Sequence, residues 1–260
     1  MGAQGRLLQE GNESEVLDTK SQDGVIFHFT ENPLALGKVK GILDWDRRKQ
    51  LMDHHTAVHI VGGAARNILG PHIWQAGSNK GARYARLDIT HHSRLTRQEI
   101  QAIEDMANDI VESNLKIRKE FLERSEADRK YGFDIYQGGP PKYDRIRVIS
   151  IGDFDIQACG GTLPDQASNI GELRILKSSQ VQDGVERLQI VAGETSRDHS
   201  RRQERILSEA SEVLGVRSDD LPKAVSRFFE EWKSQQKRIE SLEAEIVRLR
   251  TSGGGDGSVM

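Results

Sequence analysis

Three side chains in the sequence could together bind a transition metal. His55 and His59 are four residues apart, which places two imidazoles on one face of a helix, one turn apart. Cys159 is the only cysteine, so an internal disulfide is excluded and its thiol is a third candidate ligand. Imidazole and thiolate are the usual zinc ligands, and three of them with one open position are typical of a catalytic site. A second interpretation stays open, in which the histidine spacing is coincidental and Cys159 is a small buried hydrophobe.

The elements that carry these ligands can be predicted from local patterns. Apolar residues recur at three- and four-residue steps from Asp44 to Gly70, which predicts a helix that ends at Gly70-Pro71. Cys159 follows a strand-like run that begins at Phe154, and Gly160-Gly161 allows a tight turn directly after it. A metal site therefore requires this helix and this turn to converge.

The remaining pattern indicates an α+β fold, in which helices and strands are grouped rather than alternating. A capping box formed by Thr96 and Glu99 predicts a helix start, with helix continuing in two parts to about Lys130. Strands or extended segments are predicted at 25–30, 39–43, 72–92, 133–136, 145–151, 154–159, 171–177 and 185–191. A turn is predicted at Gly138-Gly139-Pro140-Pro141.

These patterns divide the chain into five segments. Residues 1–22 are polar and are predicted to be flexible, and the two strands of 23–50 must pack on something else. Residues 51–194 carry the α+β pattern, 195–250 form a helical or coiled-coil arm, and 251–260 are a flexible tail.

The arm contains a heptad pattern between Lys223 and Arg250. Seven of the eight seam positions are apolar; one seam position holds Val225, Trp232, Ile239 and Ile246, and the other holds Phe228, Gln235, Leu242 and Leu249. This pattern favours a coiled coil or helical hairpin arm, whose seam could pair two copies through residues 225–249 or pack against a further C-terminal domain. An ordinary amphipathic helix that folds back on the domain also remains open.

The charge distribution allows nucleic-acid binding only through local patches. The net charge is −3, from 37 basic and 40 acidic residues, so bulk charge does not attract nucleic acid. Lys80, Arg83 and Arg86 form a local basic cluster that could contact RNA phosphates, or simply be a solvated surface. The chain has no apolar run of roughly 18 residues, and Met1 to Gly11 lacks a signal-peptide core, so we expect a cytoplasmic protein without a membrane partner.

Several motifs together resemble the editing region of archaeal-type alanyl-tRNA synthetases and of freestanding alanyl-tRNA editing proteins. The two that contain the candidate ligands are His54–Ala64 (HHTAVHIVGGA) and Ala158–Thr162 (ACGGT). Four shorter segments are also similar to family segments: Trp74–Gly77, Arg86–His91, Tyr136–Gly139 and Gln182–Arg187. The resemblance extends from about Gly24 to Arg250 and implies part of a β-barrel, a zinc-containing editing domain and the start of a helical arm.

The resemblance also implies an activity and the residues that perform it. The family hydrolyses the ester of tRNA(Ala) mischarged with serine or glycine, which a pocket for alanine discriminates only weakly. By resemblance His55, His59 and Cys159 are zinc ligands, and Gln75 lines the editing pocket as the catalytic candidate. Taken without the resemblance, Gln75 could equally be a turn residue before Gly77. The implied partner is the acceptor end of tRNA(Ala), with Lys80, Arg83 and Arg86 near its phosphates.

The sequence departs from the family pattern at two positions. The family's fourth ligand, a histidine four residues after the cysteine, is replaced by Leu163, which cannot bind metal. The threonine before the second histidine is replaced by Val58, which has the shape but lacks the hydroxyl. We expect zinc to bind with three protein ligands and water, more weakly than in the family, or with help from Asp165.

Two functions are therefore considered. The first is a zinc-dependent aminoacyl-tRNA deacylase, and the second is a non-catalytic tRNA-binding or oligomerisation module with a degenerate metal site. We do not expect this chain to charge tRNA, because Gly62-Gly63 and Gly160-Gly161 lack the spacing of a nucleotide-binding loop.

Overall fold

A computed structural model describes residues 4–22, 25–139 and 143–253 and divides the chain into two compact units, 1–198 and 199–260. The strands are β1 (Gly5–Gln9), β2 (Asn12–Gln22), β3 (Val25–Thr30), β4 (Lys40–Leu43), β5 (Gln75–Lys80), β6 (Ala85–Thr90), β7 (Ile117–Glu123), β8 (Arg145–Ile151), β9 (Asp155–Ala158), β10 (Leu173–Gln182) and β11 (Val185–Ala192). The helices are α1 (Trp45–Leu69), α2 (Arg97–Glu112), α3 (Arg124–Tyr131), α4 (Glu194–Val213) and α5 (Leu221–Gly253).

The first unit contains the α+β fold that the sequence predicted, with antiparallel sheets. Its N-terminal sheet has the order β3-β2-β1-β4 and is open, so the described residues form no closed barrel. The segment 1–22 was expected to be flexible, but its described part supplies β1 and β2. Its polar composition concealed these strands because one face of the sheet is exposed, and only alternate residues such as Ser14 and Val16 are buried.

The core of the first unit lies between α1 and a sheet of order β10-β11-β6-β5. Its largest buried side chains include Ile60 of α1, Leu87 and Ile89 of β6, and Leu188 and Ile190 of β11. The N-cap of α1 is Asp44, whose carboxylate accepts a hydrogen bond from the backbone N–H of Arg47 at 3.0 Å. The predicted helix 44–70 thus agrees with α1 within one residue at each end, and α1 forms the support for both candidate histidines.

A third sheet, with the order β7-β8-β9, brings the cysteine turn toward α1. Gly63 of α1 allows this approach, since a Cβ there would lie 2.8 Å from the ring of Phe154, which follows β8. Residues with side chains at this position would push the β8–β9 connection away from the helix. The local sequence of α1 therefore helps to set the distance to Cys159.

Two predicted elements between α2 and β8 were wrong. The second helix expected to continue to Lys130 is interrupted by β7, and only α3 is helical. Glu, Lys and Arg in this segment favour helix locally, but pairing with β8 determines the structure. The strand expected at 133–136 is a 3-10 turn over Phe133–Ile135. Part of the predicted turn at Gly138-Gly139-Pro140-Pro141 lies outside the described residues.

The second unit is helical. It contains most of α4, a 3-10 turn at Ser218–Asp220 and the long helix α5. The apolar seam residues of α5 are exposed in the single chain, with Trp232 48% and Leu249 66% exposed. Helix therefore forms where the heptad pattern predicted it, whereas pairing of two copies stays a prediction. No helix in the described part of the chain is long and apolar enough to cross a membrane.

Candidate metal centre

The three predicted ligands converge in the first unit. One potential ligand atom from each of His55, His59 and Cys159 lies within 4.8 Å of the other two. The Sγ atom of Cys159 is 3.2 Å from Nε2 of His55, and the two imidazole rings stack with centroids 5.2 Å apart. The sequence spacing of four residues explains the stacking, because it places both rings on one side of α1.

A carboxylate orients the second histidine from the opposite side of the cluster. Oδ2 of Asp155 lies 3.4 Å from Nδ1 of His59, and both side chains are largely buried. Nδ1 of His59 makes no hydrogen bond within the described residues, and this ion-pair contact is the polar contact that the structure gives it. Gln157 in turn donates to Oδ1 of Asp155 at 2.9 Å. Metal-binding histidines commonly have such a carboxylate behind them.

The turn that carries Cys159 is fixed by an arginine on β8. Nε of Arg147 donates to the carbonyl oxygen of Cys159 at 3.0 Å, and Nη2 of the same guanidinium donates to the carbonyl oxygen of Gly161. The backbone N–H of Gly161 also lies 3.4 Å from the Cys159 sulfur. Gly161 lies directly against the imidazole of His55, so closely that a Cβ there would overlap the ring. Glycine at this position is therefore a requirement of the close approach between the turn and α1.

The preceding histidine has a different, structural role. His54 is fully buried, and its Nδ1–H donates to the carbonyl oxygen of Gly81 at 2.6 Å. Its Nε2 lies 3.0 Å from the Thr195 hydroxyl. These bonds attach the β5–β6 turn to α1, and that turn follows Lys80 directly.

The electrostatics of the cluster favour a thiolate. Burial alone would raise the pKa of Cys159, but hydrogen bonds and charges from His55 and His59 lower it to about 4. Burial likewise lowers the pKa of His59, yet Asp155 and Cys159 outweigh it and raise that pKa to about 9. Burial lowers the pKa of His55, against the effect of Cys159. Metal binds a deprotonated thiol and neutral imidazoles, so a bound ion would have to displace the proton that His59 carries at neutral pH.

This electrostatic environment gives a first prediction. In chelator-treated protein, we expect the ultraviolet absorbance of the thiolate to persist as the pH falls, and to disappear only near pH 4. The pKa is lowered, so the thiol is deprotonated above that value and protonated below it. Cys159 is the only cysteine, so the signal has one source. The variant His59→Ala should move the midpoint upward toward about 8.5, and a native midpoint already at that value would contradict the described contacts.

An open cleft of about 410 Å³ adjoins one side of the cluster. Arg48, His55, Lys80 and Thr162 are among its lining residues. Nζ of Lys80 donates to the Ser78 hydroxyl at 2.5 Å, and burial lowers the pKa of this lysine. The cleft thus combines two cationic side chains with direct access to a candidate ligand.

Gln75 lies in a different cavity. This second cavity, of about 210 Å³, is also lined by Val58, Gly63 and Asp155, and not by His55. The backbone N–H of Gln75 donates a hydrogen bond to Oε1 of Gln137 at 3.3 Å. Gln75 and Val58 therefore share a cavity, and that cavity reaches the cluster through Asp155 rather than through the cleft beside His55.

The predicted basic cluster is not brought together at the cleft. In the β5–β6 pairing, Lys80 is opposite Ala85 and Asn79 is opposite Arg86. Neighbouring pairs point to opposite faces of a sheet, so Arg86 lies on the other face from Lys80, where it is 3.5 Å from Asp88. Arg83 is exposed in the β5–β6 connection. Only Lys80 of the three lines the cleft beside His55.

The two residues considered for the fourth ligand position lie elsewhere. Leu163 is 2% exposed and belongs to the buried apolar core, together with Ile117 and Ala167. The side chain of Asp165 is 90% exposed, and its Oδ1 accepts from Nζ of Lys119 at 2.9 Å. Asp165 therefore does not take the place of the missing ligand. Its side chain is paired with Lys119, and its backbone oxygen accepts from the N–H of Ile117.

The remaining donors fit a three-ligand zinc site. Two imidazoles and one thiolate are the donor types that zinc prefers, and the adjoining cleft leaves one side of the set accessible. Asp155 and Arg147 provide the outer support that such ligands require.

Sequence reasoning missed both supporting residues. Asp155, Gln157 and Cys159 alternate along one strand, so period-two spacing could have placed them on one face. Arg147 carried no comparable local signal, because its role depends on the β8–β9 pairing. Arg48 could have been placed near His55 from helical spacing, since the two are seven residues apart on α1.

Comparisons with known proteins define the class to which the chain belongs. Residues 146–189, which include Cys159, match the family described as the threonyl and alanyl tRNA synthetase second additional domain. The chain is also similar to alanine–tRNA ligases, with 46% identity over 250 residues in Haloquadratum walsbyi, 45% over 254 in Natronomonas pharaonis and 44% over 248 in Methanopyrus kandleri. These matches cover 96, 97 and 95% of this chain, respectively.

The family resemblance inferred from the motifs is therefore confirmed. The chain belongs with the region of archaeal alanyl-tRNA synthetases that contains the second additional domain. It spans only 27% of the length of each of these three relatives. What those ligases do as whole proteins is thus a basis for proposals about this chain and not a description of it.

Proposed function

We propose that this chain is an editing module that hydrolyses the ester of tRNA(Ala) mischarged with serine or glycine. The observation that carries the proposal is the convergence of His55, His59 and Cys159 at an open cleft. Such a second site is needed because a pocket for alanine cannot exclude glycine and rejects one added hydroxyl only weakly. The family match supports the same substrate class.

The residues of the chain would hold the reacting groups in place. His55, His59 and Cys159 would hold zinc, which would supply Lewis-acid chemistry at this site when bound. Asp155 fixes the ring of His59, and Arg147 fixes the Cys159 turn, so the ligands need little reorganisation. Gln75 lies in the cavity on the other side of Asp155, where it could contact the aminoacyl group rather than the ligands.

The proposed partner is the acceptor end of tRNA(Ala). Arg48 and Lys80 line the cleft, and contacts from them to its phosphates would raise affinity without reading bases. Arg86 lies on the other sheet face, so any contact it makes belongs to a different part of the tRNA. We expect the protein to act in the cytoplasm with this partner, and a homodimer through residues 225–249 stays a prediction.

A deacylation assay tests the proposal. With seryl-tRNA(Ala) and glycyl-tRNA(Ala) as substrates, we expect His55→Ala to lose about 100-fold in rate, as is typical when a reacting group is misplaced by about 1 Å. His28→Ala, which removes an exposed histidine on β3, is the matched control and should retain the native rate. Equal rates for the native protein and His55→Ala would reject the mechanism. That result would favour the alternative function, a tRNA-binding module whose metal site has degenerated. Gel-shift binding to uncharged tRNA(Ala) would then test this alternative.

A further inference from the structure

A second group of three histidines lies at the other end of α1 from its N-cap. His72 is in the turn between α1 and β5, and His91 and His92 directly follow β6. One ring nitrogen from each lies within 4.8 Å of the other two. None of the three belongs to the candidate editing centre.

The arrangement exceeds what a hydrogen-bonded histidine pair requires. Nε2 of His72 is 2.9 Å from Nδ1 of His91, a distance typical of one imidazole donating to the other. Such a bond uses two rings only. The ring of His92 nevertheless lies with its centroid 4.5 Å from that of His91 and 5.7 Å from that of His72. Three convergent imidazoles are a donor set for a transition metal.

The backbone positions of these histidines are fixed by hydrogen bonds. The hydroxyl of Thr90 donates to the carbonyl oxygen of His72 at 2.6 Å and accepts from the N–H of Trp74 at 2.8 Å. The N–H of His91 donates to the carbonyl oxygen of Gly184 at 2.9 Å. The α1–β5 turn and the end of β6 are therefore held together before any ligand binds, which lowers the entropy lost on binding.

A buried carboxylate nearby has an unused oxygen. Glu186 is 1% exposed, and its Oε2 accepts from the Ser178 hydroxyl at 2.8 Å. Its Oε1 makes no hydrogen bond to any part of the chain that the structure describes. The charges of Glu186 and Glu99 both act on His91. Negative charge beside three imidazoles would compensate a bound divalent cation.

We propose that His72, His91 and His92 form a second metal site that binds a divalent transition metal such as zinc. His91 is buried, whereas His72 and His92 are exposed, so an ion can enter from solvent. Imidazole is a favoured ligand of zinc, copper and nickel, and zinc serves as the probe. A bound ion would join the α1–β5 turn to the segment after β6 and thereby stabilise the first unit. The site does not depend on the proposed editing activity.

Zinc stoichiometry of the full-length, untagged chain tests the site. The editing centre is first removed with Cys159→Ser and His55→Ala, and the protein is stripped with chelator, reloaded with zinc and freed of excess. We expect this background variant to retain about one zinc per chain and to melt at a higher temperature with zinc than without it. Adding His92→Asn should abolish both the bound zinc and the shift, whereas adding His28→Asn, an exposed histidine on β3, should change neither.

Two results would overturn the site. The first is a background variant that retains no zinc, and the second is zinc retention that His92→Asn leaves unchanged. Circular dichroism checks that His92→Asn is folded, and His72→Gln, also at an exposed histidine, replaces it if it is not. The editing proposal is judged separately by deacylation, so either idea can fail alone.

Discussion

Replacing Gly161 with alanine is expected to remove both zinc binding at the editing centre and deacylation. The added Cβ would overlap the His55 ring, so either that ring or the Cys159 turn must move by about 1 Å or more, and displacements of that size commonly cost about 100-fold in rate. The effect should be comparable to that of His55→Ala, because Gly161 lies on the turn that Arg147 fixes and the clash strains both the Cys159 turn and the His55 ring. Deacylation rate and zinc content measured on the same preparation provide the readout.

The neighbouring glycine supplies a matched control. A Cβ on Gly160 would meet no atom within 4 Å, and its φ is not in the left-handed region. Gly160→Ala should therefore keep the native rate and zinc content, although it makes the same chemical change one residue away. If the two variants behave alike, the turn does not lie against His55 as described. Native-like melting of Gly161→Ala would show that the loss is local to the site.

The local parts of the site could be predicted from the sequence. Helix α1 follows from apolar spacing and from its end at Gly70-Pro71, and the helix alone places His55 and His59 on one side. The turn after Cys159 follows from its two glycines. Each of these features is decided within one element, where spacing and conformational preference act directly.

The convergence of these elements could not be derived in the same way. It depends on the contact of Phe154 with Gly63, which joins the β8–β9 connection to a helix far away in the sequence. The family resemblance supplied it instead. The same limit explains the error at β7, whose helix-favouring residues are held in a strand by β8. Lys80 and Arg86 appeared as one cluster because the hairpin register that separates them was unknown.

The position of the missing fourth ligand gives the last prediction. Leu163→His restores the histidine of the family pattern, but Leu163 is 2% exposed in the apolar core. We expect the variant to lose about 2–5 kcal/mol in free energy of unfolding, because it exchanges buried hydrocarbon for a polar ring without a partner. We expect no gain in zinc affinity. Urea unfolding and competition with a zinc chelator measure the two effects.

Leu163→Met is the control for this substitution. Methionine keeps the volume and apolar character of leucine, so it should cost less than about 1.5 kcal/mol. If Leu163→His instead tightened zinc binding by tenfold or more, the side chain at this position would reach the metal centre rather than the core. Since the backbone oxygen of Leu163 accepts from Nζ of Lys119 at 2.9 Å, such a result would require this segment to rearrange on binding metal. The two variants thus distinguish two explanations for the position of Leu163. In the first, core packing holds this segment in place; in the second, the segment stays away from zinc only because it lacks the histidine ligand.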